Sequence, residues 1–282
     1  MNARRQQGQS QCKASPAEAV FSIRRRCVPV LTLLVFSSLG GACSGPPVWR
    51  QPNDPLPNFP KVLLWAWQRP EDLGFLDPKK AGIAFLAATL TLSGEDLVYE
   101  PRLQPLTVPD GAFMMAVVRL EFDFARPAAL TDKQRLEAST HILKAAQLPN
   151  IRAMQIDFDA LESQREFYAS LLAEIHEQLP DGVALSITAL ASWCIGDPWI
   201  RGLPVDEAVP MLFRMGTGQE EVRRYLSSGS DFRVKSCLYS VGVSTDEPWP
   251  AFPSGRRIYI FHPRAWTESE ALAAIERAET WQ

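Results

Sequence analysis

The stretch RAMQIDFDALESQREFY, residues 152–168, passes from a predicted β-strand through two aspartates into a predicted helix. Apolar and polar residues alternate as far as Asp159, which is the pattern of a strand with two different faces. Beyond it, an apolar residue recurs every fourth position, at Phe167, Leu171, Ile175 and Leu179. That spacing predicts an amphipathic helix lying on a sheet. A strand followed at once by a covering helix is the repeating unit of parallel α/β folds.

The same unit recurs along the chain. The sequence contains eight strand-like runs: VLLWAW, GIAFLAATLTL, AFMMAVVRLEFD, RAMQIDFDA, ALSITALASW, EAVPMLFRMG, CLYSVGVS and RIYIFH. Capping boxes predict helix starts at Thr131, Ser163, Thr217 and Thr267. Eight units without a Gly-rich phosphate loop favour an α/β fold of the closed (β/α)8 type, the TIM barrel, over an open doubly wound sheet. We expect the second and seventh helices to be short or degenerate.

The N-terminus has the composition of an export signal. Arg24, Arg25 and Arg26 precede the run VPVLTLLVFSSLGGA, which is shorter than the roughly 20 residues that span a bilayer. The following Gly-Gly-Ala-Cys43 resembles the lipobox of bacterial lipoproteins, in which the cysteine is lipidated; the alternative is an ordinary signal peptidase site near Ala42. The start codon is either Met1 or a later one.

These features predict three segments: a signal peptide over residues 1–43, a Pro-rich linker over 44–60 and a single barrel domain over 61–282. We expect an exported protein of the periplasm or outer membrane, attached to the membrane through Cys43 if that residue is lipidated.

Charge and cysteine content narrow the range of partners. The chain has 29 basic and 32 acidic residues. Six of the basic residues and one of the acidic residues lie in residues 1–43, so the rest of the chain has 23 basic and 31 acidic residues, a net charge of −8. An acidic exported domain is a poor binder of nucleic acid. Its two cysteines, Cys194 and Cys237, either form a disulfide or are two isolated buried thiols.

Two neighbouring strands are predicted to direct charge into the barrel. Alternation places Gln155, Asp157 and Asp159 on the inner face of the fourth strand, and Arg119 and Glu121 on that of the third. Active sites of such barrels lie at the C-terminal strand ends, so inward acids there indicate a functional site. The alternative is a buried ion-pair network that only fills the barrel.

Further polar and aromatic residues fall at other strand ends. The candidates for substrate binding, besides Arg119 and Gln155, are Trp65, Trp67, Gln68, Trp193, Arg214, Asp246 and Trp266. Indoles beside carboxylates suit sugars, whose ring faces stack on aromatic rings while their hydroxyl groups bind charged side chains.

Other chemistries lack their motifs. His141 and His176 fall in predicted helices and only His262 lies at a strand end, so we expect no metal site. The chain has no G-x-S-x-G elbow, Walker loop or G-x-G-x-x-G fingerprint, so we expect no nucleotide and no cofactor. Carboxylate acid/base chemistry, as in glycoside hydrolysis, is what the inward acids favour.

Five motifs carry a family resemblance. The stretches WAWQRPEDLGFL, QIDFDALESQREFY, LSITALASWCIGDPW, LPVDEAVPMLFRMG and GVSTDEPWP resemble, in order, the bacterial domain of unknown function 3142. That family is associated with glycosidase-like barrels. A more distant likeness is to chitinase-type family 18 glycosidases, whose fourth strand ends in D-x-x-D-x-D-x-E. That likeness implies that Asp159 holds the acid position, with Asp157 beside it and Gln155 replacing an acid. It also implies that Trp266 stacks on sugar and that Arg214 replaces a Tyr-Asp pair.

Two functions follow as hypotheses. In the first, an envelope carbohydrate is hydrolysed with Asp159 as proton donor and Asp157 or Glu121 as nucleophile or orienting partner, while Arg119 and Arg214 position the substrate. In the second, the barrel binds carbohydrate without catalysis, as a scaffold lipoprotein.

Overall fold

Eight parallel strands close into a barrel in the computed structural model, which describes residues 54–282. The strands are β1 (Val62–Ala66), β2 (Glu71–Asp72), β3 (Gly82–Ser93), β4 (Asp96–Pro101), β5 (Leu106–Thr107), β6 (Met114–Phe122), β7 (Ile151–Asp157), β8 (Ala184–Leu190), β9 (Glu207–Met211), β10 (Ser240–Ser244) and β11 (Arg257–Phe261). The barrel order is β1, β3, β6, β7, β8, β9, β10 and β11, which pairs with β1 again. The predicted (β/α)8 fold is confirmed, and each of the eight strand-like runs contains one barrel strand.

Five α-helices accompany the strands within residues 54–282: α1 (Asp132–Ala146), α2 (Arg165–Gln178), α3 (Ala191–Ile195), α4 (Gln219–Ser227) and α5 (Glu268–Glu279). In this part of the chain no α-helix separates β1 from β3 or β10 from β11, and β3 turns back into the antiparallel β4 instead of a helix. The second and seventh helices, which the sequence predicts to be short or degenerate, are thus absent from their places in the described chain, and the absence of the first helix was not predicted. No helix within residues 54–282 is both long and apolar enough to cross a membrane.

Two of the four predicted capping boxes form. Thr131 and Thr267 each accept a hydrogen bond from the third residue of the helix that follows. The predictions at Ser163 and Thr217 are wrong. Helix α2 begins after Gln164, whose side chain accepts from the Leu161 amide at 2.8 Å, and α4 begins after Gly218, whose φ of 100° is left-handed.

Apolar side chains form two separate layers. The larger one lies between strands and helices; a smaller one fills the barrel itself and includes Leu63, Met115 and Val209. At the N-terminal end of the strands, the buried Arg257 guanidinium ion-pairs with Glu207, and it also donates to the Leu56 carbonyl at 2.8 Å. Residues 54–60, the described part of the predicted linker, contain no helix or strand and lie against this end.

Cys194 and Cys237 form a disulfide with their Cα atoms 6.0 Å apart, so the first of the two cysteine interpretations is confirmed. It joins α3 to the 3-10 turn Lys235–Leu238 that precedes β10. Residues 1–53, including the predicted signal peptide and Cys43, lie outside the described residues.

Candidate active site

The polar side chains of β6 and β7 meet where the two strands end. In the parallel register Arg119 is opposite Asp157. The Arg119 Nε donates to Glu121 at 2.6 Å, and its Nη1 lies 3.5 Å from the Asp157 carboxylate. The guanidinium also lies 5.3 Å from the centre of the Trp67 ring. One arginine therefore links two of the three candidate acids and an aromatic wall.

Asp157 is held from the next strand as well. Thr188 on β8 donates its hydroxyl hydrogen to Asp157 at 2.8 Å and accepts the Phe158 amide at 3.3 Å. Burial raises the pKa of Asp157 to about 6, against the opposing effects of Arg119 and Thr188. A carboxyl fixed in this orientation can exchange a proton close to neutral pH.

Asp159 is the carboxyl that remains available. Its side chain lines a cleft at the C-terminal end of the barrel and makes no hydrogen bond or ion pair with any other residue in 54–282. Burial raises its pKa, while the charge of Arg119 lowers it. The side chain can therefore give a proton to, or accept one from, a bound molecule.

These groups surround one opening at the C-terminal end of the barrel, the central cleft. Its volume is about 420 Å³, and its walls include Trp65, Trp67, Arg119, Asp157, Asp159 and Arg214. An adjoining space of about 320 Å³ shares Arg119 and the two aspartates with the central cleft and adds Glu121 and the exposed Phe124. Six of the residues predicted from sequence thus line the central cleft, and Glu121 lies beside it.

Four other predicted site residues lie elsewhere. Gln155 is beneath the central cleft, 1% exposed, and donates to Ser186 at 3.1 Å. Gln68 is exposed and lines neither space. Trp193 packs against Trp199 in the layer between strands and helices. Trp266 is buried in the same layer and donates its indole N–H to the Trp65 carbonyl at 3.0 Å. Neither of the last two indoles can stack on a sugar in the central cleft.

Asp246 acts on the central cleft through Arg214. Its carboxylate accepts from the Arg214 guanidinium at 2.8 Å, and the neighbouring Glu247 accepts the Arg214 amide at 3.1 Å. The backbone of Arg214 is left-handed, with φ of 47°, a conformation that a non-glycine residue adopts at some cost. Two carboxylates of one loop therefore hold this arginine at the edge of the central cleft.

Sequence reasoning missed several residues around the site. Thr188 orients Asp157, while Met211, Phe213 and Phe261 form apolar parts of the central cleft wall. Alternation along β8 and β9 could have identified Thr188, Met211 and Phe213 as inward-facing. Thr188 lies two residues after the inward Ser186, and Phe213 lies two residues after Met211, so each pair shares a face. No three His, Cys, Asp or Glu side chains within residues 54–282 are grouped as a metal site.

Comparison with known proteins agrees with the family resemblance. Residues 110–209 match the family described as Domain of unknown function (DUF3142). The DUF3142 match runs from just before β6 into β9, and so contains Arg119, Glu121, Asp157, Asp159 and Thr188. The resemblance seen in the sequence motifs is thereby confirmed over this stretch. No curated protein sequence matches the chain.

Three solved structures resemble parts of the chain. A chitinase from Rhizomucor miehei is 11% identical, with a TM-score of 0.43, covering 65% of this chain and 68% of its own. The Bacillus cereus spore cortex-lytic enzyme SleL is 16% identical, with a TM-score of 0.43 and coverages of 77% and 58%. The chitinase domain of the Clostridium difficile spore coat protein CotE is 12% identical, with a TM-score of 0.38 and coverages of 68% and 67%.

Proposed function

We propose that this protein is a glycoside hydrolase that acts on a carbohydrate of the bacterial envelope through Asp159 and Asp157. The proposal rests on one observation: two carboxyls with raised pKa values, at the end of a single strand, enter a cleft whose walls include Trp65 and Trp67. Glycoside hydrolysis needs one protonated acid and one carboxylate near the scissile bond.

The two acids have different roles because their contacts differ. Asp159 makes no hydrogen bond or ion pair within residues 54–282 and lines the central cleft, so its carboxyl is the one free to give a proton to the leaving oxygen. Asp157 is fixed by Thr188 and Arg119. In its ionised form, which predominates above its pKa of about 6, it stabilises the developing positive charge or attacks the sugar. Glu121 is the alternative base, since its carboxylate lies in the adjoining space.

The test is the release of reducing ends from a panel of bacterial envelope and extracellular polysaccharides. We expect release by the wild-type protein, and a loss of at least about 100-fold for Asp159→Asn, the usual scale for removing an acid catalyst. Asp123→Asn is the matched control, because Asp123 lies just beyond the same end of β6 but bonds to Ser93 at 2.8 Å and lines neither space. Full activity in Asp159→Asn would contradict the assignment.

A second candidate is a carbohydrate-binding or scaffold protein without catalysis. It is favoured by the ion pairs of Arg119, which engage both Glu121 and Asp157 and leave one acid free. This candidate predicts no release from any polysaccharide, together with equal thermal stabilisation of the wild type and Asp159→Asn by one glycan.

We further propose that the protein is exported and anchored in the envelope by a lipid on Cys43. The disulfide between Cys194 and Cys237 supports export, since such bonds persist in oxidising compartments. Cell fractionation tests the anchor: Cys43→Ser should move the protein from the membrane to the soluble envelope fraction, and an unchanged distribution would contradict lipidation.

A further inference from the structure

A third space opens from the side of the central cleft. It has a volume of about 490 Å³ and is lined by residues of α3, α4 and the ends of β8 and β9. Four residues belong to both it and the central cleft: Leu190, Met211, Phe213 and Arg214. A molecule bound in the central cleft can therefore continue into this third space, which we call the apolar arm.

The apolar arm differs from the central cleft in chemistry. Its apolar lining comprises Leu190, Ala191, Ile195, Met211, Phe213, Met215, Val222 and Tyr225. Six of these side chains are half-buried and Leu190 is 37% exposed, so they cover the core on one side and leave apolar surface open on the other. The acids of the central cleft are absent from this lining, in which Glu221 is the one carboxylate. Open apolar surface that continues from a polar site is characteristic of ligand binding.

The junction between the two spaces is held in place. Arg214 is fixed there through its backbone by Glu247 and through its guanidinium by Asp246. On the other side, Met211 packs against Gly242 of β10 so closely that a Cβ at that glycine would lie 2.6 Å from the methionine sulfur. The first contacts join the segments that follow β9 and β10, and the second joins these two adjacent strands themselves, so the position of the opening between the spaces follows from the barrel.

We propose that the apolar arm binds the alkyl or acyl chain of an amphipathic glycoconjugate whose sugar lies in the central cleft. This inference rests on the proposed function for the sugar part and adds the chemical class of the group attached to it. The occupant is a hydrocarbon chain and not a further sugar, because a sugar needs hydrogen-bonding partners for its hydroxyl groups. The arm offers few of them: Ser192, Thr217, Glu221 and, at the junction, Arg214, whose guanidinium already bonds to Asp246. The Tyr225 hydroxyl is taken by the Asp231 carbonyl.

The test measures binding of n-alkyl β-D-glucosides from butyl to decyl, below their critical micelle concentrations, to the purified full chain by isothermal titration calorimetry. Each added methylene buried in the apolar arm should raise the affinity by up to about fourfold. Methyl β-D-glucoside gives the affinity of the sugar part alone.

Ser192→Trp fills the apolar arm and should abolish the dependence on chain length. The Ser192 side chain lines the arm and makes no hydrogen bond that its replacement would break. Ser170→Trp is the matched control, an exposed serine on α2 outside the central cleft and the arm, and it should keep the wild-type dependence. Met215→Gln tests the same wall with little change of volume, and should reduce the gain per methylene.

The outcomes separate this inference from the proposed hydrolysis. A chain-length dependence that Ser192→Trp removes supports the apolar arm even if no polysaccharide or glucoside is cleaved. An affinity that does not change with chain length, or a dependence that survives in both Ser192→Trp and Met215→Gln, overturns it. Hydrolysis that depends on Asp159 would stand in either case.

Discussion

The surroundings of Asp157 favour its neutral form. Burial raises its pKa from 3.8 to about 6, so between these values the folded protein binds more protons than the unfolded chain, and its stability falls as pH rises. Asp157→Asn removes this penalty while keeping a side chain that can bond to Thr188. We expect the variant to be more stable than the wild type at pH 8 by up to about 3 kcal/mol, with the difference falling to about 0.5 kcal/mol at pH 4, just above the ordinary pKa of 3.8. Urea denaturation at both pH values measures it.

Asp123→Asn provides a control of opposite sign. The Ser93 hydroxyl and nearby backbone amides lower the pKa of Asp123, so its contribution to stability is present above its ordinary pKa and is lost in acid. This variant should be less stable than the wild type at pH 8 and equal to it in acid. A difference for Asp157→Asn that is the same at pH 4 and pH 8 would show that its carboxyl is not the cause.

At the same scale, the sequence predicts the acids of the site better than its aromatic rings. Alternation with a period of two settles which face a strand residue occupies, so Arg119, Asp157 and Asp159 meet as expected. Trp193 and Trp266 lie beyond strand ends, where no periodicity applies. Each indole is buried in the layer between strands and helices, and the Trp266 indole N–H donates to a backbone carbonyl. Such a choice depends on packing partners that are distant in sequence.

At the scale of single elements, two helix starts show that the same sequence pattern can lead to different structures. Thr131 and Ser163 have the same capping-box spacing, but only Thr131 caps a helix, accepting from the Gln134 amide at 3.2 Å. Thr131→Ala should therefore cost about 1 kcal/mol of unfolding free energy, whereas Ser163→Ala should stay within about 0.5 kcal/mol of the wild type. Chemical denaturation of the two variants measures the difference. Equal losses would indicate that the spacing itself, and not the observed bond, determines the cap.

The elements that were not foreseen have a common cause. Strand β4 follows β3 as an antiparallel partner, with Leu90 opposite Tyr99, and no α-helix lies between β1 and β3. An apolar run predicts the strand but not what covers its outer face, because a hairpin and a helix can both do so. The eight strands are predictable since each must be apolar; the intervening segments depend on how much room neighbouring elements leave.

At the scale of the whole molecule, one covalent link joins distant parts of the barrel. The disulfide connects residues 43 positions apart, and closing a loop of that length reduces the entropy of the unfolded chain by the equivalent of about 4 kcal/mol. A reducing agent should lower the melting temperature of the wild type, while a Cys194→Ala/Cys237→Ala variant should already melt at the lower temperature and not respond. The contribution would be contradicted if the melting temperature of the wild type stayed the same after the protein had been unfolded in reductant, which exposes and breaks the disulfide, and then refolded.

A buried ion pair closes the end of the barrel where the strands begin, opposite the central cleft. Arg257 and Glu207 both have side chains with no exposed surface. Glu207 also accepts the Tyr259 hydroxyl at 2.6 Å, and Arg257 reaches Asp54 at 3.0 Å. The pair therefore joins β9, β11 and the segment that precedes β1. Removing one member leaves a buried charge without its partner, which costs far more than the pair contributes when intact.

Arg257→Met should therefore reduce the free energy of unfolding by about 3–5 kcal/mol. Arg126→Met is the matched control, because Arg126 pairs with Asp96 at 3.3 Å but both side chains are more than 60% exposed, and its loss should cost less than about 1 kcal/mol. The double variant Arg257→Met/Glu207→Leu removes both charges and should regain part of the loss. If that double variant is less stable than Arg257→Met alone, the lone carboxylate is not the source of the cost, and the bonds from Glu207 to its other neighbours must hold the barrel closed.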